Sequence, residues 1–178
     1  MSDVSTSAAP RPEGAVLRRL RTDAPFFLLA AIVVLADQVT KKMVRDRLLL
    51  GESWPDADWF VKLTHVTNSG AAFGMLQGQT TFLIVTSVVG LAAIVLYYLY
   101  PPMEHGFLRA ALGLQLGGAV GNLIDRVARG EVTDFVDFRH FPAFNVADSA
   151  ITIGVVSIIA FFSLTEARET LGRAADPD

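Results

Sequence analysis

From Thr80 to Tyr100 the chain reads TTFLIVTSVVGLAAIVLYYLY, 21 residues without one charge. At 1.5 Å of rise per residue, a helix of that length crosses the roughly 30 Å of a bilayer's hydrocarbon core. Inside hydrocarbon every backbone N–H and C=O must find a partner within the protein, so the choice narrows to helices or closed barrels. The uninterrupted apolar run selects the helix. Pro101 and Pro102 stop it, since proline cannot continue the hydrogen-bond ladder.

Three more segments fit the same pattern. FFLLAAIVVLA, after Pro25, is only 11 residues, and it reaches full length by continuing through the polar DQVTKKMV. The four expected spans are about 25–44, 80–100, 107–127 and 147–164, with outer connections at 46–79 and 128–146. They form one membrane domain, 24–165. Residues 1–23, rich in Ser, Ala, Pro and Arg without an apolar period, read as a disordered tail, and 166–178 as a second tail. The N-terminal segment does not read as a cleavable signal peptide, because no small-residue cleavage site follows its apolar run. A net charge of −3 gives no reason to expect nucleic acid. With no cysteine there is no thiol nucleophile and no disulfide, and the three histidines show no ligand spacing, so neither metal nor cofactor is expected.

An even number of spans puts both termini on one side. Arg11, Arg18, Arg19 and Arg21 precede the first span, and Arg168 and Arg173 follow the last, which places the termini in the cytoplasm. Lys41, Lys42, Arg45, Arg47 and Lys62 vote the other way, but the first helix usually dominates. Trp54, Trp59 and Phe60 suit the opposite interface. Alternation from Trp59 to Val66 reads as a short strand, followed by an Asn68-Ser69-Gly70 turn. The expected fold is an all-α membrane protein with a small β-containing cap.

The polar residues that matter crowd into Gly121–Ile151, GNLIDRVARGEVTDFVDFRHFPAFNVADSAI. Ionisable groups at the edge of hydrocarbon are costly and ask for a functional reason. Asp134 and Asp148, 14 positions apart, can meet at the membrane surface if the loop between them folds back. Two close carboxyls do not both ionise readily, so one stays a base while the other keeps a proton. That pairing suits activation of water for hydrolysis. The plainer alternative makes Asp134 a solvated loop residue and Asp148 a helix N-cap.

Asn122 and Arg126 share a helix face, and Asp125 beside Arg126 reads as a structural ion pair. Arg126 could hold a carboxylate, a headgroup or a substrate carbonyl. Asp37 and Lys41, at i and i+4, read as a self-compensating pair, with Lys42 and Arg45 snorkelling to the headgroups. Asn68 is either a turn residue or an amide that pins a substrate backbone. Gly113, Gly117 and Gly121 make a small-residue stripe for close helix packing.

Five blocks in order, DQVTK (37–41), NSGAAFG (68–74), GNLIDR (121–126), the Asp of VTDF (132–135) and FNVADSAI (144–151), resemble bacterial lipoprotein signal peptidase, signal peptidase II. The resemblance runs from the first span to the last. It implies a four-helix membrane aspartic peptidase with an extracytoplasmic β-rich cap and a short interfacial helix. Such an enzyme cleaves diacylglyceryl-modified prolipoproteins before the lipidated cysteine, in the bacterial cytoplasmic membrane. The resemblance makes Asp134 and Asp148 the catalytic pair. It matches Asp37, Lys41, Asn68, Gly70, Asn122, Asp125, Arg126, Asn145 and Ala147 to other motif positions. The expected partners are the prolipoprotein and membrane lipid, and a single-chain site leads to the expectation of a monomer. A small proton-coupled transporter is the alternative from another class. Against it, the second span has no ionisable group and the two halves show no inverted repeat.

Overall fold

The structure is a computed structural model that describes residues 12–55, 59–70, 75–100 and 105–175, with side chains for 23–171 of these. Four helices dominate it: α1 (Pro12–Arg47), α2 (Thr80–Leu99), α3 (Gly106–Arg129) and α4 (Val146–Ala175). Each contains a stretch long and apolar enough to cross a membrane: Asp23–Arg47, Thr80–Leu99, Gly106–Arg129 and Val146–Leu171. The chain is an integral membrane protein.

Two helices outrun the sequence reading. Residues 12–23, expected in a disordered tail, carry helical backbone, and α4 continues past 164 to Ala175. Charged and alanine-rich turns such as EARETLGRAA are good helix formers that hydrophobicity alone does not register. The rest of the expected tails, residues 1–11 and 176–178, lies outside the described residues.

Burial is inverted relative to a soluble bundle. Leu28, Leu35, Val89, Val127 and Ile159 are exposed to the lipid side, whereas Asp37, Lys41, Asn122, Asp125, Asp134 and Asn145 are buried. In lipid the apolar surface needs no covering, so polar groups gather where protein replaces water. The glycine stripe makes the close packing possible. A Cβ on Gly117 would sit 2.6 Å from the Ala30 carbonyl of α1, and one on Gly121 would sit 2.6 Å from Asp37 Oδ2. On the other side of α3, Gly118 lies against the Ala147 carbonyl of α4. Helix α3 is therefore wedged between α1 and α4.

At the end where α1 and α3 finish sits a four-stranded antiparallel sheet in the order β1-β2-β3-β4: Ser53–Trp54, Val61–Asn68, Val132–Phe138 and Phe141–Phe144. One strand was expected at 59–66, and residues 128–146 were expected as loop. Instead β3 and β4 form a hairpin there. Their pattern misleads because the first four residues of β3 are buried whichever face they take, so no polar alternation marks the strand. The short interfacial helix implied by the resemblance has no counterpart among the described residues between Arg47 and Thr80.

Candidate active site

Asp134 rides on β3, and the β3–β4 hairpin carries the chain back to start α4 with Asp148 in its first turn. Asn145 immediately precedes the helix, and its Oδ1 accepts the Asp148 backbone N–H at 2.9 Å. The Asp148 carboxylate reaches back to the Asn145 N–H, Oδ2 to N 3.3 Å. This reciprocal capping box fixes the Asp148 side chain to the helix start. The cap is thus Asn145, and Asp148 takes the third helical position rather than the N-cap position.

The same asparagine joins the two aspartates, since its Nδ2 donates to Asp134 Oδ1 at 2.6 Å. The other Asp134 oxygen accepts Asn68 Nδ2 at 3.0 Å. Strand register explains that contact. Asp134 pairs with Val66, and Asn68, two residues along, projects from the same face onto the diagonal neighbour. Asp148 Oδ1 accepts Asn122 Nδ2 at 2.8 Å from α3. Three asparagines from β2, α3 and the α4 cap therefore hold the pair.

Asp134 is almost wholly buried, whereas Asp148 is half-buried. Burial pushes the Asp134 carboxyl up to about 6, and the neighbouring Asp148 charge adds to the shift. The amide donors of Asn68 and Asn145, and more distantly the Lys41 charge, pull the other way without cancelling it. A carboxyl that binds its proton near pH 6 beside a second carboxylate can give a proton while its neighbour takes one.

Both carboxyls open on a cavity of about 730 Å³. Its polar floor also includes Asn68, Asn122 and Arg126. Its walls are apolar: Val66, Phe141 and Phe144 from the sheet, Ile151 and Ile153 from α4. Arg126 Nη2 donates to the Gly70 carbonyl at 3.3 Å, and the Gly70 N–H donates to Asn68 Oδ1 at 2.9 Å. A side chain at Gly70 would meet the Met75 carbonyl at 2.5 Å, so glycine lets this turn pack. Arg126 thereby braces the turn that aims Asn68 at Asp134.

Behind the pair lies a second, closed cluster. Lys41 Nζ binds Asp37 Oδ2 at 2.8 Å, Asp125 Oδ2 at 3.3 Å and Asn122 Oδ1 at 2.8 Å, and all three ionic side chains are fully buried. Asp37 Oδ1 accepts the Ala147 N–H at 3.0 Å, and Asp125 Oδ2 accepts the Thr133 N–H at 3.2 Å. The cluster so anchors the residues next to both Asp134 and Asp148.

Two expectations change here. Asp125 pairs with Lys41 and with Arg129, at 3.3 Å, whereas Arg126 turns away toward the cavity. Arg45 does not simply snorkel: its Nη1 donates to Thr133 Oγ1 at 2.9 Å and lies 3.9 Å from Asp125 Oδ1. Sequence reasoning also passed over Gln38, which bonds Asp37 and the Gly121 carbonyl at 3.1 Å each, and Thr133. The Asp125–Arg129 spacing of i and i+4 was the one available signal. Asp137 stays apart from the cavity, accepting Thr64 Oγ1 at 2.7 Å. Among the described residues no group of three or more His, Asp or Glu side chains forms a metal-ligand set.

The fold and the cavity define an integral membrane protein with a carboxyl pair at one end of a four-helix bundle. A family model for signal peptidase (SPase) II matches residues 29–164. The chain belongs to this family and is a peptidase, which sets the transporter alternative aside. It is 43% identical to a lipoprotein signal peptidase of Bacillus pumilus over 74% of this chain and 87% of the relative. Against a lipoprotein signal peptidase of Moorella thermoacetica it is 46% identical, covering 74% and 88%. The fold matches a bacterial membrane enzyme solved by the in meso method at 2.3 Å resolution, with TM-score 0.74 and 39% identity, over 79% of this chain and 88% of that one.

Proposed function

We propose that this peptidase removes signal peptides from diacylglyceryl-modified prolipoproteins, cutting before the lipidated cysteine, with Asp134 and Asp148 as its catalytic residues. The observation that carries this reading is the raised Asp134 carboxyl beside Asp148 on the floor of a largely apolar cavity. The names of the relatives point to the same substrate class.

The chemistry follows from the hydrogen bonds. Asp148, positioned by the Asn122 amide and the Asn145 N–H, takes a proton from a water. The resulting hydroxide attacks the carbonyl carbon of the residue before the cysteine. Asp134, protonated, donates to the carbonyl oxygen as it gains charge. The tetrahedral intermediate then collapses: the C–N bond breaks, the proton on Asp148 goes to the departing amine, and Asp134 recovers its proton from the hydroxyl. Asn68, Gly70, Asn122, Arg126 and Asn145 position the pair and the substrate backbone, while Asp37, Lys41 and Asp125 hold the scaffold. No cofactor enters any step.

A substrate tethered by two acyl chains stays in the leaflet, so its scissile bond arrives at a fixed depth. The acyl chains lie along the apolar walls, and the sheet end of the bundle faces the extracytoplasmic side of the bacterial membrane with both termini in the cytoplasm. The enzyme acts as a monomer. Purified protein given a prolipoprotein with and without its diacylglyceryl group tests this reading by the masses of the products. The expected pair is a free signal peptide and a chain starting at lipidated cysteine, from the modified substrate alone. Cleavage at another bond, or equal cleavage of the unmodified substrate, contradicts it.

A further inference from the structure

A charge imbalance remains at the outer edge of the closed cluster. Lys41, Arg45 and Arg129 are three cations, and they share two carboxylates, Asp37 and Asp125. Both guanidiniums approach the same oxygen, Asp125 Oδ1, from 3.9 Å and 3.3 Å. Among the described residues no other carboxylate lies within ion-pair distance of either one. Asp46, next to Arg45, is taken by Lys42 at 2.6 Å. Arg126 faces the cavity instead, where Asp148 and Asp134 are its nearby acidic groups. One positive charge is left over.

Helix dipoles do not absorb it. The carbonyl ends of α1 and α3 favour cations here, but the N–H ends of α2 and α4 lie at the same end of the bundle and offset them. Thr80, which opens α2, bonds the Gly130 carbonyl just past α3, confirming that the ends are level. Arg45 and Arg129 also remain accessible, with side chains 19% and 40% exposed. Each sits in the last turn of a membrane-crossing helix, so the pair lies at headgroup depth. Neither lines the cavity.

The geometry points to a phosphate-binding site formed by Arg45 and Arg129, filled by the phosphate of an anionic phospholipid. Two guanidinium forks on adjacent helices suit a phosphate's several oxygens, and low dielectric strengthens the attraction. Bound there, the lipid would brace the α1–α3 seam that holds Asp125 and, through it, the start of β3.

The test is a thermal-unfolding titration of the full chain in detergent micelles. Phosphatidylglycerol, diacylglycerol without phosphate, and inorganic phosphate are added separately to wild type and to Arg129→Gln. Arg129 is the variant of choice because its partial exposure lets the fold tolerate the change. The expected result is a midpoint increase with phosphatidylglycerol, little change with diacylglycerol, and about fivefold weaker apparent affinity in Arg129→Gln. An equal response to inorganic phosphate, lost in the variant, supports the phosphate site and assigns it to the free ion. An equal response to diacylglycerol, or one unchanged by Arg129→Gln, overturns the proposal. A second variant, Val127→Lys, adds a cation on the same helix without a fork, and an equal gain there would also overturn it by showing general charge attraction. Because the site is off the cavity, its failure leaves the peptidase reading intact.

Discussion

Two carboxylate pairs sit at the same end of the bundle, and their surroundings could hardly differ more. Asp37 and Asp125 close around an ammonium group, fully buried on all three sides. Asp134 and Asp148 meet amides and a cavity instead. A cation between two carboxylates bonds to both, and Arg129 supplies a second positive charge at Asp125. Amide donors hold the position of a carboxylate without neutralising it, so burial and mutual repulsion remain to be relieved by a proton. Residue type is the same in both pairs. The partner decides which is a strut and which can exchange protons.

The largest effect should separate the pairs by rate. Asp134→Asn or Asp148→Asn is expected to lower prolipoprotein cleavage on the order of 10⁴-fold, since members of a catalytic unit fail together. Each aspartate accepts two N–H donors, so the asparagine amide must turn its own N–H toward one of them and will lose that bond as well. Retained cleavage in either variant would move the chemistry elsewhere.

Lys41→Met should act on stability first. It strands the buried Asp37 carboxylate, leaves Asp125 to its arginines and removes one of the two donors to Asn122 Oδ1, and removal of one member of a buried ionic group costs about 3–5 kcal/mol. A drop in thermal midpoint with activity recovered in the folded fraction would class the cluster as a strut. Full stability with lost activity would merge the two pairs into one functional unit.

pH should distinguish them more gently. The folded Asp134 carboxyl titrates near 6, above its ordinary 3.8, so the fold binds that proton more tightly than the unfolded chain does. Stability is therefore highest below about pH 4 as far as this group is concerned; it falls between pH 4 and 6, where the unfolded chain has released the proton that the fold still holds, and levels off above. The cost is at most about 3 kcal/mol, from roughly 1.4 kcal/mol per unit. Asp134→Asn should flatten that slope in denaturant unfolding measured across the window, and an unchanged slope would assign it to other groups. The smallest effect belongs to Asp137→Asn. An amide oxygen still accepts Thr64 Oγ1, so stability should move by no more than about 0.5 kcal/mol with cleavage intact.

The sequence is most readable where one physical rule acts alone. Apolar length reveals α2 because nothing else competes with it, and the glycine stripe reveals close packing for the same reason. Asp37 and Lys41 are legible as a pair because four residues is one helix turn. Their third partner, Asp125, is 84 positions from Lys41 and carries no local mark. Asp125 was matched to adjacent Arg126 on proximity in sequence, but helix geometry sends neighbours about 100° apart, one toward α1 and one into the cavity. The β3–β4 hairpin is hidden because Thr133 and Asp134 are polar residues in buried positions, satisfied by α1, α3 and Asn145 rather than by water. Asn145 is the clearest case: Asp148 reads as the helix cap in sequence terms, and Asn145 becomes both the cap and the link between two aspartates only when the hairpin brings β3 alongside.

An infrared pH titration of carboxyl protonation in the folded protein tests the contrast between the pairs most directly. In wild type a neutral-carboxyl band should grow as pH falls through about 6, persist in Asp125→Asn, and vanish from that range in Asp134→Asn. A band near pH 6 that survives Asp134→Asn, or disappears with Asp125→Asn, would place the exchangeable proton in the wrong pair and contradict the account.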